Sequence, residues 1–185
     1  ANWGSIMAGV FPEEAIVRAI YEGEFLRIKI IAENQTNPVE GFEREFKDWA
    51  EQNVAGEILV GSDLGTSAKS PSEILIAEAG GDDLDVIGIV TLMGMTWPGI
   101  EQVLRIIDRE ARVRYMALDA TGVGAPICEN LQYRGQMRCE VLPFDFASNL
   151  VVGENLRKNS KVWSTDAIVS MLQRGNLGLP DDADL

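Results

Sequence analysis

The sequence predicts an α/β fold in which helices flank a mixed sheet, made of a three-stranded meander extended by helix-connected parallel strands. Three observations favour it. Apolar runs separated by turn residues fill residues 57–93, a long amphipathic helical pattern starts at Trp97, and strand and helix patterns then alternate. With 185 residues, of which 46% are hydrophobic, the chain can bury one substantial core.

Residues 1–56 are predicted to form a helix–strand–helix segment that packs on this core. The first helix begins near Pro12, which suits a first helical turn. Four apolar residues would share its buried side: Ala15, Ile16, Ala19 and Ile20. A strand is predicted over residues 25–32. The second helix is indicated by apolar residues at helical spacing: Val39, Phe42, Phe46 and Trp49.

The meander is predicted from three strands with short connections, over residues 58–63, 73–79 and 86–93. A helix over residues 97–112 follows, because its apolar residues recur at i, i+3, i+4 and i+7: Ile100, Val103, Leu104 and Ile107. Arginines cluster around this helix with Asp108 and Glu110 between them, and we interpret all of these residues as surface charge.

The rest of the chain alternates strands and helices. Strands are predicted over residues 115–119, 139–144 and 177–179, and helices over residues 126–133 and 166–173. From residue 57 onward, the order β-β-β-α-β-α-β-α is that of a ribonuclease-H-like fold. Because the meander occupies only one edge of its first strand, a crossover can place the fourth strand along the other edge.

Two aspartates are candidate site residues because each ends one of these predicted strands. Asp63 follows the apolar run at residues 58–62, Asp119 follows residues 115–118, and Gly and Thr residues come next in both cases. Neighbouring strands lie about 4.8 Å apart, so carboxylates at matching strand ends could hold a divalent cation between them. The alternative is structural, since an aspartate after a strand can cap the following turn by accepting backbone N–H bonds.

The composition excludes several chemistries. The chain has no histidine, so histidine-based nucleophilic triads and histidine-ligated zinc sites cannot form within it. Cys128 and Cys139 form neither a C-x-x-C pair nor a zinc-ligand set, and we predict buried free thiols. With 29 acidic and 16 basic residues the net charge is -13, so any contact with a nucleic acid must be local. No apolar stretch approaches the roughly 20 residues that span a bilayer, and the N-terminus does not resemble a signal peptide, so we expect a soluble intracellular protein with no membrane partner.

Four stretches of the sequence resemble the nuclease domain of the large terminase subunit of tailed bacteriophages and related prophages. They are V-G-S-D-L-G at residues 60–65, L-D-A-T-G-V-G-A-P at residues 118–126, Lys161 after Phe144, and R-G-N-L-G-L-P at residues 174–180. The stretch F-E-R-E-F at residues 42–46 also resembles the segment that precedes the first catalytic strand of this family.

This resemblance implies a metal-dependent endonuclease domain that cleaves double-stranded DNA by phosphodiester hydrolysis during viral genome packaging, in the host cytoplasm. Asp63 and Asp119 match the family's catalytic metal ligands, and their hard oxygen atoms suit a two-metal site with Mg²⁺ or Mn²⁺. Lys161 resembles a catalytic-site lysine that could touch the scissile phosphate. With Arg157 and Lys158 it forms a candidate DNA-binding patch, for which a solvated helix face is the alternative. The implied partners are double-stranded DNA, the terminase ATPase domain, the portal and the small terminase subunit.

The sequence departs from the family pattern in two respects. No G-x-x-x-x-G-K-[ST] phosphate loop occurs, so the ATPase motor is absent from this chain. The family's third catalytic carboxylate follows a strand and helix that come after the L-x-L-P segment, whereas Asp181, Asp182 and Asp184 do not match that position and are predicted to form a solvated acidic turn. We therefore expect residues 57–185 to be a fragment of a nuclease domain whose C-terminal end is missing.

Two other functions are compatible with the residues. The stretch D-L-G-T-S at residues 63–67 also resembles the first phosphate-binding loop of actin-like and sugar-kinase-like ATPases, which share the core topology. Those enzymes clasp a nucleotide between two domains, for which this chain is short. A catalytically inactive docking module of the packaging machinery is the third possibility.

Overall fold

One mixed sheet with helices packed against it organises the chain, which confirms the predicted α/β class. The computed structural model describes residues 11–32, 37–65, 69–121, 124–134, 137–152 and 156–181. Its helices are α1 (Glu13–Ala19), α2 (Pro38–Asn53), α3 (Trp97–Ala111), α4 (Ala125–Arg134) and α5 (Ser160–Arg174). Its strands are β1 (Ile20–Tyr21), β2 (Leu26–Ile31), β3 (Glu57–Asp63), β4 (Ser72–Gly80), β5 (Asp83–Met93), β6 (Val113–Asp119), β7 (Glu140–Phe144), β8 (Asn149–Val152), β9 (Leu156–Asn159) and β10 (Leu177–Pro180).

The strand order confirms the predicted topology. The sheet runs β1-β10-β5-β4-β3-β6-β7, and β2 also pairs with β5. β4 is antiparallel to β3 and β5, which makes the meander, whereas β6 is parallel to β3 and β7 is parallel to β6. The turn between β4 and β5 closes over residues 81–82, because Gly81 adopts a φ of 70° that glycine reaches without strain.

The N-terminal segment joins the sheet as well as packing on it. β2 pairs in parallel with β5, from Leu26 beside Gly88 to Ile31 beside Met93. The sheet therefore continues across the boundary predicted at residue 56. The prediction that Ile20 lies on the buried side of the first helix is wrong: α1 ends at Ala19, and Ile20 takes an extended conformation in β1 with 42% of its surface exposed.

The segment after β7 contains a hairpin that the periodicity does not reveal. β8 and β9 pair as an antiparallel ribbon apart from the main sheet. α5 also begins earlier than predicted, because the Asn159 side chain caps it by accepting the backbone N–H groups of Lys161 and Val162 at 3.1 and 3.4 Å. No helix within the described ranges has the length and apolar composition needed to cross a membrane.

Alternation of side chains gives the sheet two faces. The inner face packs against α2, α3 and α4, and its buried aliphatic residues come from β2 to β6: Ile28, Ile30, Ile58, Val60, Ile74, Ile76, Val90, Leu92, Met116 and Leu118. The residues between these on the same strands form the opposite face, here called the outer face. A smaller buried cluster joins α1 and α5 to β5 and β10: Ala15, Ala19, Val86, Leu172 and Leu177.

Asp108 corrects the interpretation of the charges around α3 as surface charge. Its side chain is 3% exposed and accepts the backbone N–H groups of Arg138 and Cys139 at 2.7 and 3.0 Å. These bonds compensate the burial of the carboxylate. The prediction of free thiols is confirmed, with Cys128 buried and Cys139 partly buried. Burial, with a smaller contribution from Asp108, raises the pKa of Cys139 to about 12.

Candidate active site

Asp63 and Asp119 lie side by side at the carboxyl ends of two neighbouring parallel strands. The β3–β6 register pairs Ser62 with Leu118, so the aspartates occupy the next position on each strand. The spacing of the two backbones is then about 4.8 Å. Because Leu118 belongs to the inner core, the residues that follow in register point to the outer face. The predicted neighbourhood of the two aspartates is confirmed, and their role as metal ligands stays a prediction.

Glycines lie close to other chain segments in the loops that follow the two aspartates. A Cβ on Gly124 would lie 1.8 Å from the carbonyl oxygen of Asp119 and 3.6 Å from the Leu64 side chain. A Cβ on Gly65 would lie 2.1 Å from the carbonyl oxygen of Ser70. Both loops therefore need glycine to fold back tightly on the ends of their strands.

The loop after Asp63 is also held by a buried hydroxyl. Ser72 is fully buried, and its Oγ accepts from the Gly65 N–H at 3.0 Å and donates to the Gly65 carbonyl at 2.7 Å. This pair of bonds closes the chain between β3 and β4 immediately beside the candidate site.

The two aspartates differ in their local contacts. Asp119 Oδ1 accepts the backbone N–H of Thr121 at 2.8 Å, so this side chain does cap its turn, as the structural alternative proposed. The bond occupies one of its two oxygens. Asp63 is exposed, and its carboxylate makes no hydrogen bond or ion pair with any residue in the described ranges. Turn capping therefore accounts for Asp119 in part, whereas among the described residues no N–H group caps onto Asp63.

Glu73 is a third carboxylate in the same row, which the sequence analysis missed. It pairs directly with Asp63 across the antiparallel β3–β4 ladder, so both side chains share the outer face. Its Oε2 accepts the Thr91 hydroxyl at 2.7 Å. Only the register of β4 against β3 reveals this juxtaposition, because nothing in the pattern of residues 72–80 marks Glu73 as different from a surface residue.

The donor set fits a hard cation in its chemistry. Carboxylate oxygens are preferred by Mg²⁺ and Mn²⁺, and Mg²⁺ usually keeps several waters and uses one or two protein carboxylates beside substrate phosphate. Asp63 and Asp119 satisfy that modest requirement. In the ranges that the structure describes, no group of three or more Asp, Glu, Cys or His side chains closes into an all-protein metal cage.

Lys161 is placed at the same edge of the sheet. It is exposed at the start of α5, directly after Ser160. The Ser160 hydroxyl donates to the carbonyls of Asp145 and Ser148 at 2.5 and 3.1 Å. Asp145 follows Phe144, which pairs in register with Asp119, so the start of α5 is anchored beside the strand end next to the candidate site. The structure shows no contact between Lys161 and either aspartate.

Arg157 and Lys158 lie on β9 and not on a helix. As successive strand residues they point to opposite sides of the ribbon, and Lys158 forms an ion pair with Asp166 on α5. Arg157 is exposed. The predicted basic patch is therefore divided by the strand geometry.

Some residues of the predicted motifs lie outside the described residues: Thr66, Ser67, Gly122, Val123, Asp182 and Asp184. Asp181 is described and exposed, and its backbone N–H donates to the Tyr21 carbonyl at 3.3 Å.

Solved structures of terminase nucleases share this fold. The large terminase nuclease from thermophilic phage G20c with bound magnesium matches with a TM-score of 0.53 at 18% identity, covering 69% of this chain and 60% of that chain. The same nuclease with bound zinc gives a TM-score of 0.51 at 19% identity, with coverages of 69% and 66%. The Thermus phage P74-26 large terminase nuclease domain gives 0.51 at 16% identity, with coverages of 69% and 58%.

At these identities the likeness establishes the fold. The chain has the ribonuclease-H-like architecture of large terminase nuclease domains, and the match spans 60% of the magnesium-bound G20c chain. No protein-family model matches the sequence, and no curated protein matches it at a significant level.

Proposed function

We propose that this chain is a metal-dependent endonuclease domain of a large terminase subunit, which cleaves double-stranded DNA during viral genome packaging. The observation that carries the proposal is the position of Asp63 and Asp119, which end two adjacent parallel strands on one face of a sheet whose fold is that of terminase nucleases. Structures of one such nuclease contain magnesium, zinc or cobalt, which supports a divalent cation as its cofactor.

Asp63 and Asp119 would hold the cation, Mg²⁺ or Mn²⁺, through their carboxylate oxygens. A two-metal site supplies an activated water and stabilises the leaving oxygen of the phosphodiester. The role of the protein is to present the two acidic ligands on rigid strands. Asp119 is further oriented by the Thr121 N–H, and the loop after Asp63 is fixed by Ser72.

Basic residues at the same edge would contact the DNA. Lys161 stands at the anchored start of α5, where its ammonium could reach a phosphate held near the aspartates. Arg157 and Lys158, both on the β8–β9 ribbon, are further proposed contacts. The Asp166 carboxylate that pairs with Lys158 partly neutralises its positive charge. DNA, the terminase ATPase domain, the portal and the small terminase subunit are the proposed partners.

The test is plasmid nicking with Mg²⁺ or Mn²⁺ by the parent chain and by Asp63→Asn and Asp119→Asn. We expect weak, sequence-nonspecific nicking that EDTA stops, and a loss of at least about 100-fold in each variant, since a metal ligand acts in every turnover. Asp48→Asn is the matched control, because Asp48 is exposed on α2, which packs on the inner face.

Metal binding gives an independent readout. Free Mn²⁺ can be followed by electron paramagnetic resonance, and both site variants should bind Mn²⁺ more weakly than the parent and Asp48→Asn. An Asp63→Asn protein that nicks DNA as fast as the parent would end this assignment.

A further inference from the structure

One row of side chains crosses the outer face and connects the N-terminal strand β2 to the candidate site. Lys29 pairs in register with Thr91, Thr91 with Glu73, and Glu73 with Asp63. The hydrogen bond from Thr91 to Glu73 confirms that these side chains meet on one face. With strands about 4.8 Å apart, three steps place the backbone of Lys29 about 14 Å from that of Asp63.

Lys29 is exposed on the outer face. Its strand alternates strictly, with Ile28 and Ile30 buried in the inner core and Lys29 exposed between them. In the described ranges its ammonium forms no ion pair or hydrogen bond. A positive charge is thus presented on the same face as the aspartates of a strongly acidic chain.

The outer face of β3 and β6 carries small side chains beside the aspartates. Gly61 and Ala117 pair in register, two positions before Asp63 and Asp119. A Cβ built on Gly61 would meet no heavy atom of the described residues within 4 Å, so they leave the space above it open. A glycine inside a strand occurs at bulges and bends and also where a ligand or another backbone approaches closely.

We propose that Lys29 binds a phosphate of the DNA duplex that lies across the outer face, with its cleaved strand over Gly61 and at Asp63. The inference rests on the nuclease function proposed above. The separation of about 14 Å is close to the width of the major groove, about 12 Å, so a duplex with one strand at Asp63 presents phosphates of its other strand at the distance of β2. The N-terminal strand is then part of the substrate-binding surface.

A purely structural role for Lys29 makes a different prediction. Lysine is common on edge strands, where its charge opposes edge-to-edge association. In that case removal of the charge in Lys29→Gln would promote association of the protein, Lys29→Glu would not, and neither would change the affinity for DNA.

The experiment compares Lys29→Glu with Lys47→Glu. Lys47 is also exposed and lies on α2, which packs on the inner face, and both substitutions change the net charge equally. Nicking is measured with Mn²⁺. Binding to a short labelled duplex is measured in EDTA over a series of low salt concentrations, so that it does not depend on cleavage. Lys29→Gln and Lys29→Arg are added to remove the charge and to retain it. Circular dichroism and gel filtration compare the fold and the oligomeric state of each variant with those of the parent.

We expect Lys29→Glu to weaken both nicking and duplex binding roughly tenfold, because it removes one phosphate contact and adds a negative charge. Lys29→Gln should lower the slope of log K against log salt by about 0.9. Lys47→Glu and Lys29→Arg should behave like the parent.

The possible results distinguish failure of the Lys29 contact from failure of the nuclease function on which it rests. If the parent nicks DNA and Lys29→Glu matches Lys47→Glu in both assays, the phosphate contact is overturned and the nuclease stands. If the parent binds the duplex through Lys29 but no divalent metal supports nicking, the nuclease function fails and the contact stands. A parent chain that neither nicks nor binds overturns both.

Discussion

Asp119 shows how one side chain can serve a turn and a candidate site together. One of its oxygens accepts the Thr121 N–H, and its carbonyl lies so close to Gly124 that a Cβ there would come within 1.8 Å. The residues that orient the carboxylate are therefore the same residues that fold the loop behind it. A glycine in this loop has a steric role that can be measured separately from any metal chemistry.

Gly124→Ala should destabilise the protein, because the new methyl group collides with backbone that cannot move away cheaply. The overpacking cost is expected to be about 1–3 kcal/mol in the free energy of unfolding. Gly41→Ala is the control, since Gly41 lies in α2 and no atom of the part of the chain that the structure describes is within 4 Å of its would-be Cβ. Alanine there should stabilise the helix by up to about 1 kcal/mol. Thermal unfolding of both variants checks that Gly124→Ala lowers the stability and that Gly41→Ala raises it. Equal stability of Gly124→Ala and the parent would mean that the loop is not packed as described.

A buried carboxylate connects α3 to the segment that precedes β7. Asp108 holds the backbone N–H groups of Arg138 and Cys139 immediately before β7 begins at Glu140. β7 in turn pairs Phe144 with Asp119, and the start of α5 is tied to Asp145. The same strand thus connects Asp108 to the start of α5, where the proposed DNA contact Lys161 lies.

Asp108→Asn should cost about 2–4 kcal/mol in unfolding free energy. The amide keeps the shape of the side chain but turns one acceptor into a donor facing a backbone N–H, and hydrogen bonds to charged groups contribute about 1.5–3 kcal/mol each. Urea denaturation measures the loss. Asp48→Asn, on the exposed side of α2, should change stability by less than about 0.5 kcal/mol. A similar small effect at Asp108 would contradict the buried capping role.

The chain as a whole is an acidic molecule proposed to act on a polyanion. Its net charge is -13, and the basic residues of the proposed DNA surface are few and spread over three elements: Lys29, Arg157, Lys158 and Lys161. Electrostatics at a distance would repel DNA, so binding must come from these local contacts and from the cations that we propose the aspartates hold.

The affinity of this chain alone for duplex DNA should therefore be poor. At physiological salt we expect a Kd no tighter than about 10⁻⁶ M, the range of non-specific binding, with affinity rising as salt is lowered. Fluorescence anisotropy with the cleavage-deficient Asp63→Asn variant gives the measurement without loss of substrate. Nanomolar binding at physiological salt would show that the charge argument is wrong.

Local patterns were enough to predict the order of the elements, apart from β1 and the β8–β9 hairpin, and the adjacency of the two aspartates. The period of Ile100, Val103, Leu104 and Ile107 predicts α3, and all four are fully buried. The apolar runs that end at Asp63 and Asp119 predict parallel strands whose ends coincide, and the β3–β6 register confirms it. Such signals are local, because burial on one side of a helix or strand forces a periodicity on the sequence itself.

Pairing between distant segments was settled only by the tertiary structure. The row from Lys29 through Glu73 to Asp63 exists because β2 and β4 take particular registers against their neighbours, and a shift of one residue would send each side chain to the other face. Burial of Asp108 likewise depends on backbone donors that lie 30 residues further along the chain. Register and long-range partners are chosen by the packing of the whole core, so no short stretch of sequence records them.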